Sequence, residues 1–218
     1  AKKFYRRNDN YISADGLRVI DMDKLVSFVV TTKNEEAYLA RCLKAIKKQT
    51  YRNLEIIVVD SCSEDRTVEI ARKYADKVIV RDCIIPVGRN IGAKNSSGDF
   101  LVFLDADIIL DENWLETILP KLNNGIAAVS GDMLPQAKGI KNKLLYWYVT
   151  FSKSIHHKLR LPNVGIGGTA ALVSKDTFKA ANGYTDKFAS CEDFDFSMRL
   201  VKLGKVRFER KARAYFSL

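Results

Sequence analysis

The chain reads as an α/β domain built on a mostly parallel central sheet with helices on both faces, and three observations predict it. Short apolar, β-branched runs recur at 26–31, 54–60, 77–80 and 100–105, nearly continuous in hydrophobic character, as strands buried on both faces are. Stretches of helical periodicity fill the gaps at 35–48, 64–75 and 87–97. Polar residues collect where each strand ends, which is where open parallel sheets hold their ligands.

Residues 1–24 are polar and charged, with Lys2, Lys3, Arg6 and Arg7, and are expected to form a basic arm or an edge strand; 25–218 is expected to be a single domain. In the helix over 35–48, Leu39, Cys42, Leu43 and Ile46 share one face and form core. Ser61 and Glu64 have the spacing of a capping box ahead of the helix over 64–75. Strand and helix alternation implies crossover connections and a sheet covered on both sides. After Ile108 the pattern loosens into a smaller mixed region: a helix over 112–122, a strand over 126–130, a long basic stretch, a strand over 169–174 and a helix over 192–203. No internal repeat or linker interrupts it.

With 218 residues and 47% apolar content, the chain can bury one substantial core. Its net charge of +10 favours a polyanionic partner: nucleic acid, an anionic membrane surface or a phosphorylated substrate. Cys42, Cys62, Cys83 and Cys191 show no metal-knuckle or Cys-x-x-Cys spacing, which predicts free thiols in a reduced compartment. No apolar run approaches the ~20 residues that cross a bilayer, and the start lacks the apolar region of a signal peptide. Because the chain begins at Ala1 and stops at Leu218 inside an apparent strand, processing or a longer parent protein is expected.

The chemistry concentrates in Phe103-Leu104-Asp105-Ala106-Asp107-Ile108. Two carboxylates one residue apart, where an apolar strand meets solvent, suit a hard divalent cation such as Mg²⁺ or Mn²⁺. Four further motifs stand in order around it: Thr31-Thr32-Lys33-Asn34-Glu35-Glu36, the Asp-Ser-Cys-Ser-Glu-Asp-Arg-Thr run over 60–67, Gly88-Arg89-Asn90-Ile91-Gly92-Ala93, and Cys191-Glu192-Asp193-Phe194. Together they resemble the inverting, family 2-like nucleotide-sugar glycosyltransferases of the GT-A fold, over roughly 26–207.

That resemblance implies a nucleotide-binding half over 25–107 and an acceptor-binding half over 108–218. Thr31, Lys33, Glu35, Asp60 and Ser61 would line base and ribose, with Asp60 accepting from a base N–H. Arg89 would steady the diphosphate or the acidic pair. Asp105 and Ala106 would lie over ribose and diphosphate, and Asp107, with Asp105, would ligate Mn²⁺ or Mg²⁺. Asp193 would be the general base and Glu192 its neighbour in acceptor binding; Gly167, Gly168 and Thr169 would open the acceptor pocket. Taken singly, each has a local alternative. Asp105, Asp107 or Asp60 serves to cap a turn or helix, Arg89 to pair with a structural carboxylate, and Glu192 with Asp193 to favour the positive end of a helix.

The chain departs from the family at three places. Lys33 replaces an aromatic that often stacks on the base, Ser61 replaces a second aspartate, and no histidine stands near Tyr215-Phe216-Ser217 to complete a metal site. The Gln-x-x-Arg-Trp element of processive synthases is also absent, which favours transfer of one sugar at a time.

Between Asp132 and Asp176 no acid occurs, while Lys138, Lys141, Lys143, Lys153, Lys158, Arg160 and Lys175 supply seven positive charges. Leu144, Trp147, Tyr148, Phe151 and Ile155 repeat there at helical spacing, either as a core stripe or as an interfacial helix whose Trp147 meets a lipid-linked acceptor. The expected partners are therefore a UDP- or GDP-sugar, a glycan or lipid-linked acceptor of the cell envelope and an anionic membrane surface, with the protein peripheral at the cytoplasmic face. Nucleic acid is not expected, since no recognition-module pattern organises the basic residues. The competing readings are a catalytically silent carbohydrate- or partner-binding domain and a sugar-phosphate nucleotidyltransferase, the latter weakened by the lack of a glycine-rich basic loop after the first strand.

Overall fold

The computed structural model describes residues 5–7, 10–12, 24–136, 169–187 and 191–217. Trp147 and its apolar stripe, the basic stretch around it, and Gly167 and Gly168 lie outside the described residues. Tyr5–Arg7 (β1) and Asn10–Ile12 (β2) pair antiparallel with each other. Everything that follows is organised by an eight-stranded sheet.

Val26–Thr32 (β3) is buried along its whole length, and its side chains alternate between two cores. Val26, Phe28 and Val30 face Leu39, Leu43 and Ile46 of Leu39–Lys47 (α1), while Val29 faces Ala93 of Ile85–Lys94 (α3). Each such Val, Leu, Ile or Phe side chain, taken fully out of water, contributes about 1.5–3 kcal/mol. Leu54–Asp60 (β4) lies parallel to β3 on one side and Phe100–Asp105 (β6) parallel on the other, with Lys77–Val80 (β5) beyond β4. Strand order therefore reverses at β3, and the crevice at a reversal opens beyond the strands' carboxyl ends. Register sets the polar ends level: Thr31 pairs with Asp105 and Thr32 with Asp60.

The remaining strands make the sheet mixed. Ala171–Ser174 (β9) runs antiparallel between β6 and Ile126–Pro135 (β8), and Lys205–Phe216 (β10) runs parallel to β8. Ile108–Leu110 (β7) closes the order β5-β4-β3-β6-β9-β8-β10-β7 by pairing with the end of β10. Only Ala106 and Asp107 separate β6 from β7, and that connection reaches at most about 11 Å. Four strand spacings on a flat sheet amount to about 19 Å, so the sheet curls. The bend is built into β10, whose pairing with β8 jumps between Glu209 and Arg213, and Gly131 leaves room for the Ala212 carbonyl to come close there. The result is a mixed, curled α/β sheet, as the GT-A resemblance implies.

Several boundaries differ from the sequence expectation. α1 begins at Leu39, because the Glu35 N–H donates to Thr67 Oγ1 and the entry is a turn. The capping box is not made: Thr67–Tyr74 (α2) starts later, and Ser61 Oγ instead exchanges hydrogen bonds with the backbone of Cys83. α3 starts earlier, with Pro86 in its first turn, where a missing N–H costs nothing. Trp114–Ile118 (α4) passes into a 3-10 turn at Leu119–Lys121. Lys175–Ala180 (α5) follows β9, and Glu192–Leu203 (α6) has the predicted bounds. All four cysteines are free thiols.

Candidate active site

The Gly88-Arg89-Asn90-Ile91-Gly92 run shows why its residues are spaced as they are. A β-carbon at Gly92 would overlap the Val29 side chain, and one at Gly88 would stand 3.1 Å from Thr31 Cγ2. The two glycines thus let α3 press against β3, and Arg89 between them enters the centre of the molecule with 2% exposure. There its guanidinium meets acids from two distant stretches of chain. Nη2 donates to Asp105 Oδ1 at 2.9 Å; Nη1 donates to Asp193 Oδ1 at 2.5 Å and to Glu192 Oε1 at 3.2 Å. Asp105 ends β6, whereas Glu192 and Asp193 open α6, where a helix N-terminus favours negative charge.

The turn after β6 is held from two sides. The Asp105 N–H donates to Thr169 Oγ1 at 3.1 Å, and Cys42 of α1 approaches the Asp105 carbonyl at 3.7 Å. Asp107 projects into the crevice, and among the described residues it has no ion pair. Burial, and then the neighbouring Asp105 charge, push its carboxyl above the ordinary aspartate range. Burial, Asp107 and Asp105 push Glu35 up in the same way. Asp193 is also raised: burial is the largest cause and Glu192 adds to it, while Arg89 draws it back down.

A cavity of about 800 Å³ opens beside this cluster. Thr31, Lys33, Glu35, Ser61 and the Asp105-Ala106-Asp107 turn line it, as the strand ends predict. Asp60 lies beneath that wall, fully buried, with Oδ1 accepting from the Ser63 N–H at 2.8 Å and Oδ2 from the Ser63 hydroxyl at 2.5 Å. Arg89, Glu192 and Asp193 stand behind the acidic turn, and Thr169 supports it. Sequence reasoning missed Asp82, Cys83, Ile84 and Ile85, which complete the cavity. They follow β5 at its carboxyl end, so their position in the alternation was the available signal.

In a chain of net charge +10, three carboxylates, those of Asp105, Glu192 and Asp193, thus meet one buried guanidinium, and Asp107 and Glu35 stand close enough to Asp105 to feel its charge. Such a site repels an anionic diphosphate unless a cation intervenes. Among the described residues no three His, Cys, Asp or Glu side chains converge as a self-sufficient metal centre. One or two carboxylates, with substrate phosphates and water supplying the rest, is the usual Mg²⁺ arrangement, and the Asp107–Asp105 pair fits it.

The chain's relatives carry the same architecture. Residues 27–180 match the model of the family described as glycosyl transferase family 2. An uncharacterized glycosyltransferase of Haemophilus influenzae is 28% identical over 193 residues, covering 82% of this chain and 62% of that protein. Glycosyltransferase GlyA of Streptococcus pneumoniae is 31% identical over 107 residues, 46% of this chain and 15% of its own. In three dimensions, Staphylococcus aureus TarS 1-349 superposes with a TM-score of 0.71 at 19% identity, covering 88% of this chain and 60% of that one. The mannosyltransferase PcManGT of Pyrobaculum calidifontis, solved with GDP-Man and Mn²⁺, gives 0.66 at 17% identity over 87% and 56%. The chain spans less than two thirds of the length of these proteins. Matched over most of its length by one family model, the chain belongs to glycosyl transferase family 2.

Proposed function

We propose that the chain transfers a sugar from a nucleoside-diphosphate donor, UDP- or GDP-linked, to an acceptor hydroxyl with inversion at the anomeric carbon. The observation that supports this most is the shared guanidinium of Arg89, which holds Asp105 beside the cavity and Asp193 at the head of α6 within one side chain's reach. TarS has been solved with UDP-GlcNAc and PcManGT with GDP-Man and Mn²⁺, so both donor classes occur on this fold.

In this reading 25–107 is the nucleotide half and 108–218 the acceptor half. Thr31, Lys33, Glu35 and Ser61 flank the nucleoside; Asp60, buried beneath that wall with both oxygens accepting from Ser63, reaches a base N–H only if the loop after β4 opens on binding. Asp107, with Asp105, would hold Mg²⁺ or Mn²⁺, which would supply positive charge against the negative charge developing on the leaving diphosphate. Asp193 takes the proton of the acceptor hydroxyl, a contribution of about 10²- to 10⁴-fold, and Glu192 orients the acceptor. A single displacement, with donor and acceptor on opposite sides of the reacting carbon, inverts its configuration. Gly167, Gly168, Thr169 and Trp147 belong to the acceptor side, and the cationic stretch after Asp132 favours a lipid-linked acceptor at an anionic, cytoplasmic membrane face. Among the described residues no helix is long and apolar enough to cross a membrane.

A thermal-shift panel of UDP- and GDP-sugars, with Mn²⁺ and again with EDTA, tests the donor and metal together. Binding at 100 times Kd adds about 2.7 kcal/mol. At least one donor is expected to raise the melting temperature and EDTA to abolish the rise; no shift with any donor contradicts the proposal. A silent binding domain would bind but not turn over, which separates it from the enzyme.

A further inference from the structure

Arg89 presents a problem of orientation. Three carboxylates compete for its guanidinium, and its Nε finds no hydrogen-bond partner among the described residues. A long, rotamer-rich side chain in that setting has several ways to pair, and the one observed spans both Asp105 and Asp193. Beneath it lies Tyr184, 3% exposed, with the guanidinium carbon 5.1 Å from the ring centroid, within cation–π range.

Tyr184 also stands where the three elements carrying those groups meet. Its ring packs edge-on against Phe103 of β6, centroids 5.2 Å apart, and tilted by 34° against Phe196 of α6 at 4.4 Å. Its N–H donates to Asn90 Oδ1 at 2.9 Å and its carbonyl accepts from Asn90 Nδ2 at 2.7 Å, so α3 carries both Arg89 and the lock beside it. The preceding turn is shaped for this contact. Asn182 and Gly183 have φ of 59° and 62°, and a β-carbon at Gly183 would meet Asn90 Oδ1 at 2.6 Å. From α6, Arg199 Nη1 donates to the carbonyls of Ala181 and Gly183, tying the same turn to the helix that begins with Asp193.

We propose that Tyr184 is a positioning residue for sugar transfer: its ring beneath Arg89, and its backbone locked to Asn90, hold the guanidinium where it aligns Asp193 with Asp105. The assignment rests on the reading of Asp193 as the base. Tyr184 touches no reacting atom, so its removal lowers kcat through misplacement and leaves donor binding nearly unchanged.

The test measures kcat and donor KM, per folded protein, in Tyr184→Phe, Tyr184→Leu, Asn90→Ala and Asp193→Asn. Tyr184→Phe keeps the ring and is expected within roughly twofold of wild type; Tyr184→Leu is expected to lose roughly 10- to 100-fold in kcat, the scale of a 1 Å misplacement, with donor KM nearly constant. If Tyr184→Leu does not fold, Asn90→Ala carries the test, since it frees the turn and keeps the ring. Unchanged kcat in the folded Leu variant, or in Asn90→Ala where Leu fails to fold, overturns the proposal, as does a Phe variant no better than Leu. Asp193→Asn separates the failures. Lost turnover there with normal Tyr184→Leu overturns positioning alone, whereas retained turnover removes the base assignment and the positioning role with it.

Discussion

Arg89 is one buried guanidinium facing three acids, and its removal leaves the nearly buried Glu192 and the half-buried Asp105 and Asp193 without a counter-charge. Breaking a fully buried pair from one side costs about 3–5 kcal/mol, and solvent reaching Asp105 and Asp193 makes the cost here smaller. Arg89→Met is therefore expected to melt well below wild type and to lose turnover, and Arg89→Lys to recover part of the stability but not the activity, since an ammonium cannot fork to Asp105 and Asp193. Thermal melts beside a donor-turnover assay check both.

The acids themselves carry a pH signature. Asp193 lies above the ordinary aspartate range because burial, with Glu192 adding, outweighs Arg89, and a base works only when deprotonated. Turnover is thus expected to rise with pH through a limb displaced upward from the usual carboxylate value, and a limb at or below that value contradicts the assignment. Asp107 gives the stability counterpart. Its folded value is raised, so its favourable contribution is present at acid pH, where it is protonated, and is lost as pH rises through that value. In metal-free protein, Asp107→Asn is expected to raise the melting temperature at neutral pH, the gain shrinking toward acid pH, while abolishing donor turnover.

At the scale of elements, α3 matters through its contact with β3. Gly92→Ala would drive a β-carbon into Val29, and the helix must shift or the strand must yield, an overpacking cost of about 1–3 kcal/mol. Because Arg89 rides on the same helix, turnover is expected to fall more than stability accounts for; a destabilised variant with wild-type kcat would show that Arg89's placement is not critical. The helix and its glycines were legible in the sequence because strand alternation placed them against a sheet. β7 was not, since Ile108-Ile109-Leu110 becomes a strand only through pairing with Ala214–Phe216, about a hundred residues away. The Ser61–Glu64 capping box failed for a related reason: the Ser61 hydroxyl found the Cys83 backbone across the crevice rather than a helix end.

For the molecule as a whole, the reversal of strand order at β3 decides where the site lies; the continuous apolar runs made the parallel strands and their polar ends readable, but not their order, which long-range pairing sets. Of the motif residues, Thr31, Lys33, Glu35, Ser61, Asp105, Ala106 and Asp107 line the crevice, whereas Asp60 lies buried beneath it and Arg89, Glu192 and Asp193 stand behind it; Gly167, Gly168 and Trp147 lie outside the described residues. Tyr184 and the residues 82–85 escaped, because what they do depends on partners such as Asn90 and Ser61 that no local pattern couples to them. The central claim is that acids from β6 and α6 act together on one donor. The direct measurement is release of nucleoside diphosphate from a UDP- or GDP-sugar with Mn²⁺ by wild type, Asp107→Ala and Asp193→Asn, each shown to be folded. Both variants are expected to lose at least roughly 10²-fold, and full activity in both would contradict the account.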